Sequence, residues 1–195
     1  MRLRLVVAGA VVVAALWTAA PASAHQTAPP PPAAEPDLPG PVEDYFDLSG
    51  FDPEPWEPYE SEDMTLPAGV YCPFEMHIRV VEDDEETRVD SRYPDGSVHV
   101  REYRGKLIVD FVNTLTGDTV RRDVSGEGAE ELRADGTTKV FGGVGPFGVG
   151  FKTTDAYPAG YYVLDGVHVT AKEPGGRRHM VLDKGSEENM CETLA

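Results

Sequence analysis

The sequence predicts an all-β protein: a single antiparallel β-sandwich or barrel of about 8–10 short strands, preceded by a disordered, proline-rich acidic segment. Three observations carry this. From Pro67 onward, short runs of β-branched and aromatic residues alternate with polar ones at period two. Turn residues separate these runs at close, regular spacing. Among the runs there is no convincing amphipathic helix. The 129 residues from 67 to 195 suffice for one hydrophobic core, so one β-domain is expected there.

Taken in order, "FEMHIRVV" places Phe74, Met76, Ile78 and Val80 on one face and Glu75, His77 and Arg79 on the other. "SRYPDGSVHV" turns at Pro94-Asp95-Gly96 and continues with Val98 and Val100 inward, His99 and Arg101 outward. "KLIVDFVN" repeats the pattern through Leu107, Val109 and Phe111, and Thr116-Gly117-Asp118 turns the chain into "TVRRDV". "GAEELRA" reads as a helical turn, and Asp135-Gly136 opens the strand "TTKVF". "GYYVLDGVHVTA" reads as two short strands about Asp165-Gly166, and "RHMVLD" as the last.

The N-terminal 66 residues have different physics. Arg2 and Arg4, the apolar run Leu5–Ala20 and Ala22-Ser23-Ala24 together form a secretory signal peptide over residues 1–24. The run is shorter than the roughly 20 residues that span a bilayer, so no permanent membrane anchor is expected and the mature chain is expected to be extracellular. Residues 25–66 hold eleven acids and no Lys or Arg, with ten prolines before Ser61, a composition that cannot form its own core. Tyr45, Phe46, Phe51, Trp56 and Tyr59 interleave with the acids. They are candidate partner-docking residues, or else rings that fold back on the β-domain.

Formal net charge is −17, and removing the signal peptide leaves 15 basic residues against 34 acids, about −19. This argues against nucleic acid as a partner and disfavours anionic membrane surfaces, because phosphate contacts need clustered Lys and Arg; a cationic partner or a divalent metal stays open. Cys72 and Cys191 are the two cysteines, and in an exported chain they are expected to form one disulfide.

Several motifs invite chemistry. Gly143, Gly145 and Gly148 fall in the order G-x-G-x-x-G, but no helix follows to meet a pyrophosphate, so they read as bulges or tight loops. The five consecutive acids Glu82–Glu86 read as a connection between two strands, with Asp83, Asp84 and Glu85 as calcium candidates. His77, His99 and His168 lie on faces read as outward. Were the strands closed with that face inside, they would line a polar pocket with Glu75, Arg79 and Arg101, or bring two imidazoles to one metal. Asp110 interrupts the apolar strand "LIVDFV" and reads as exposed on a mixed face; buried, it would need partners. No G-x-S-x-G or H-E-x-x-H occurs, and Ser91, Ser97 and Ser125 sit in turn-like contexts.

The segments "CPFEMHIRV", "SVHVREYRGKLIVDFVNTLTGDTVRRDVSG" and "ADGTTKVFGGVGP" resemble a group of uncharacterised small secreted β-rich proteins of high-GC Gram-positive bacteria. The shared features are Cys72 with Phe74, Asn113 to Gly117, and Asp135 to Thr137, over roughly residues 70–170. The resemblance implies a fold and carries over no activity and no catalytic residue.

The expected function is a secreted, non-catalytic β-domain that binds a cell-envelope or extracellular partner and needs no cofactor. Two alternatives stay open: an extracellular hydrolase using scattered carboxylates and histidines, and a calcium-stabilised structural module.

Overall fold

Phe74, Met76 and Ile78 enter the core while Arg79 stays exposed, as alternation requires. The computed structural model describes residues 42–195, so the expected signal peptide and the first half of the proline-rich segment lie outside the described residues. In chain order the elements are a 3₁₀ turn (Val42–Tyr45), β1 (Glu57–Tyr59), β2 (Met64–Leu66), β3 (Met76–Arg92), β4 (Val98–Asn113), β5 (Thr119–Asp123), β6 (Glu127–Leu132), β7 (Thr138–Val144), β8 (Phe147–Phe151), β9 (Gly160–Lys172), β10 (Arg178–Asn189) and α1 (Met190–Thr193). The fold is all-β: one antiparallel ten-stranded sheet with the path β1-β3-β4-β6-β7-β9-β10, to which β2 adds beside β3, β5 beside β4 and β8 beside β9.

Two long hairpins organise this sheet, β3–β4 and β9–β10, and β4 and β9 each change their second neighbour near the middle. Val100–Tyr103 of β4 pairs with β6, whereas Ile108–Val112 pairs with β5. Gly160–Leu164 of β9 pairs with β8, whereas Val167–Ala171 pairs with β7. Glycine marks both midpoints. Gly105 has φ +120°, and a Cβ there would stand 2.3 Å from the Asp84 carbonyl oxygen. Gly166 has φ +128° and faces Gly185, with 2.3 Å from its ideal Cβ to the Lys184 oxygen. Only a residue without a side chain admits this approach.

The sheet thereby folds back on itself. Met76 and Ile78 of β3 and Val109 and Phe111 of β4 pack against Val163 of β9 and Met190 of α1. Phe147, Val149 and Phe151 of β8 cover Tyr162 and Leu164 on the other side of β9. Cys72 and Cys191 form a disulfide inside the first of these clusters, with Cα atoms 5.2 Å apart.

Three readings of individual elements change. Glu82–Glu86 is not a connection but the middle of β3, where cross-strand cations pair with two of the acids: Lys106 Nζ lies 2.8 Å from Glu82 and Arg104 Nη2 2.7 Å from Glu86. Asp165-Gly166 is likewise mid-strand, its glycine serving close backbone approach rather than a turn. "GAEELRA" supplies β6, because its backbone completes the ladders of both β4 and β7, whose edges a helical turn would leave unpaired. The turns at Pro94–Gly96, Thr116–Asp118 and Asp135–Gly136 lie where expected, and Gly143, Gly145 and Gly148 run from β7 into β8 with no helix.

Gly105→Ala is expected to destabilise the protein by about 1–3 kcal/mol, since the methyl group must displace backbone; urea unfolding measures it. The disulfide closes a loop with a sequence separation of 119. Cys72→Ser with Cys191→Ser is expected to lose about 2–5 kcal/mol in the same assay.

Candidate binding face beneath the N-terminal arm

Disorder was expected over residues 25–66, whereas Glu57–Tyr59 and Met64–Leu66 within it are strands of the sheet. The amides of Asp52 and Glu54 donate to the carbonyls of Asp90 and Val89, both at 2.8 Å. Pro53 and Pro55, which have no N–H, alternate with them, so proline falls where the edge of β3 asks for no donor. β1 then pairs with Glu85–Thr87 and β2 with Met76–Ile78. Acid repulsion along the arm is offset by β-domain donors: Arg92 Nε donates to Glu54 Oε1 at 2.6 Å.

Four of the five candidate docking rings lie against the chain's own surface. Phe46 is buried with Val140, Val169 and Leu182, and Tyr45 packs on that cluster. Trp56 lies under the guanidinium groups of Arg104 and Arg88, 4.0 and 4.8 Å from its ring centroid. Tyr59 meets Tyr103 edge-to-face at 5.4 Å. Phe51 stays 52% exposed.

Between the Phe46 and Trp56 anchors the arm roofs a pocket of about 210 Å³. Val100 and Glu102 of β4, Ala129 of β6 and Gly142 of β7 project to this face because their register aligns them across the sheet. Ala129 and Gly142 leave the floor low, while Leu48 and Val144 form an apolar rim, 40% and 51% exposed. Beneath the pocket sits Asp90, 1% exposed. Arg88 Nε donates to Glu102 Oε2 at 2.9 Å and lies 2.9 Å from Asp90 Oδ1. It is out of line with that oxygen, which accepts no hydrogen bond. Burial first, then the neighbouring Glu102 carboxylate, push Asp90 up to about 6, against the pull of Arg88.

At the other end of this face, Ser91 Oγ lies 3.2 Å from His99 Nδ1, and His99 Nε2 lies 3.4 Å from Glu131 Oε1. Asp47 of the arm joins them, with its amide donating to Glu131 Oε2 at 3.3 Å. Asp47, His99 and Glu131 are the one set of three His or acid side chains among the described residues whose donor atoms come within 4.8 Å of one another. Lys139 Nζ, 2.6 Å from Glu131 Oε1, already supplies a cation there. The sequence showed Ser91 only as a turn-like serine, and nothing local marked Glu131.

The remaining candidates disperse. His99 and His168 were read as outward and are buried, at 5% and 0% exposure. Register shifts on either side of Ser91 disrupt the regular pairing opposite His99, which lies 4.5 Å from the Tyr93 ring. His168 packs near Phe147, 3.1 Å from Asp183 Oδ1 and out of line with it. His77 remains partly exposed beside Asp63. Arg79 and Glu75 join none of these histidines: Arg79 holds Asp110, and Glu75 accepts from Thr114. Asp110 is buried rather than exposed, covered by Arg121 and Arg79, whose hydrogen bonds hold its carboxyl down at about 2. Of the calcium candidates, Asp83 and Glu85 accept from the amide and hydroxyl of Ser61, while Asp84 alternates to the opposite side of β3.

Asp90 titrates higher in the folded chain than unfolded, so the fold binds the extra proton between pH ~4 and ~6 and loses stability as pH rises through that window. Urea unfolding of the wild type is expected to show a fall on the order of 2 kcal/mol between those limits relative to Asp90→Asn. Parallel pH profiles for the two proteins would refute the assignment.

No family model, curated protein or solved structure matches this chain.

Proposed function

We propose that the protein is a secreted, non-catalytic binding module whose ligand site is the pocket beneath the N-terminal arm. The observation that carries this is a concave site roofed by Phe46, Leu48 and Trp56, rimmed by exposed Leu48 and Val144, with the partly exposed carboxylate of Glu102 inside. Apolar walls around a few converging polar groups are the usual make-up of a ligand pocket. Phe51 and Leu48 extend the apolar surface along the arm, which is how a short segment presents anchors to a larger extracellular or envelope partner. The disulfide and the leader-like N-terminus support export, and no helix among the described residues is long and apolar enough to cross a membrane.

A hydrolase is the second reading, favoured by the Ser91–His99–Glu131 chain of contacts. Against it, Ser91 is 3% exposed, so no substrate reaches its hydroxyl in this conformation.

The test is cosedimentation of residues 25–195 with purified envelope from the host, beside Leu48→Ser/Val144→Ser, in which both changes fall at exposed positions. The wild type is expected to pellet and the double variant to stay in the supernatant. Equal pelleting of the two removes the pocket rim from recognition. Ester or glycan hydrolysis that Ser91→Ala abolishes would move the assignment to the second reading.

A further inference from the structure

A second cavity lies on the opposite face of β4 and β6, inside the folded sheet. Glu102 and Arg104 project toward the arm; Tyr103 between them projects inward. Inside, Tyr103 and Phe141 meet Ile78, Val109 and Phe111 of the facing layer, with Tyr161 closing one side, around about 190 Å³. A water occupies about 30 Å³ of liquid, so this space has the volume of about six waters, and its walls are mostly apolar. Close packing is the rule in protein interiors, and a space of this size inside one marks a place for a guest.

Two features give the guest its chemistry. The Tyr161 hydroxyl lines the cavity and makes no hydrogen bond to the described residues. At the mouth stand Ser61, Glu62 and Glu85. Ser61 Oγ donates to one oxygen of Glu85 at 2.6 Å, and Asp83 lies behind, accepting from the Ser61 amide. Burial, the larger influence, and Asp83 both raise Glu85 above the ordinary carboxylate range, against the pull of Ser61, so its negative charge is under-compensated there. The mouth thus repels anions and favours a cation, in a chain whose formal net charge is −17.

We infer that the interlayer cavity binds a small arylalkyl amine, its ring among Ile78, Val109, Phe111 and Phe141 and its ammonium at Glu85 and Glu62. This site is separate from the pocket beneath the arm and does not depend on that pocket's function.

The experiment titrates residues 25–195 with phenethylamine, 2-phenylethanol and 3-phenylpropionate, reading the methyl resonances of Ile78 by NMR. Phenethylamine is expected to shift Ile78 through its ring current and to bind about tenfold more tightly than the neutral alcohol, the carboxylate weakest. Val109→Phe, which fills the cavity, is expected to abolish the shift. Glu85→Gln, which keeps the cavity, is expected to bring the amine down to the affinity of the alcohol. If Val109→Phe fails to fold, Glu85→Gln alone decides. No Ile78 shift with millimolar phenethylamine, an undiminished shift in folded Val109→Phe, or an amine preference that survives Glu85→Gln each overturns the inference. Loss of envelope binding in the rim variant leaves it untouched.

Discussion

At the midpoints of both long hairpins two backbones come so close that a single methyl group has no room. Gly105 meets Asp84 and Glu85, and Gly166 meets Gly185. These approaches matter because β3–β4 and β9–β10 each serve two neighbourhoods. One end of each hairpin builds the layer closed by the disulfide, and the other builds the face that the arm crosses. A strand with side chains throughout would run past this point at ordinary twist and keep one set of partners. Glycines of positive φ let the ladder continue while changing course. Both cavities sit beside this change of course. The pocket beneath the arm lies over Glu102 and Gly142, and the interlayer cavity lies between Tyr103 and Val109.

The second constraint is that β3 has an edge. An unpaired edge with Val81 exposed invites another chain. The arm covers it in register: Asp52 and Glu54 at one end, β1 in the middle, β2 at the other. Proline suits this task, because it contributes extension and removes the donors that would otherwise face solvent on the outer edge. The arm is therefore a structural element whose acids make it soluble and whose Phe46 and Trp56 fasten it. The pocket beneath the arm follows from where the fastening leaves gaps.

Much of the fold was legible in sequence where the physics is local. Alternation at Phe74, Met76 and Ile78, the Asp-Gly turns at residues 95–96 and 135–136, and a disulfide between the two cysteines each need only nearby residues or a count. The misread elements depend on partners far along the chain. Glu82–Glu86 looks like a solvated loop until Lys106 and Arg104 are seen opposite. Asp165-Gly166 looks like a turn until Gly185 is seen facing it. His99 looks outward until the bulges flanking Ser91 are counted, and Asp110 looks exposed until Arg79 and Arg121 arrive from two other strands. The site itself was least legible. Phe46, Trp56 and Tyr59 were singled out as rings, yet the surfaces that receive them come from β4, β7 and β9, and no spacing in the arm encodes those.

Charge links these observations. Several arginines and lysines of the sheet pair with acids: Arg122 with Glu188, Arg92 with Glu54, Lys106 with Glu82, Lys139 with Glu131. Exposed pairs of this kind add little stability each, but they localise the charge excess. Two acids beside the concave sites are perturbed by burial. Asp90 is sealed beneath one pocket with an oxygen that accepts nothing, and Glu85 at the mouth of the other is held above its ordinary range. With carboxylates lining each concave site in a chain of formal net charge −17, the local field at both openings is unfavourable to anions. Salt would weaken the long-range attraction of a cation toward either opening while leaving contacts inside it largely unscreened.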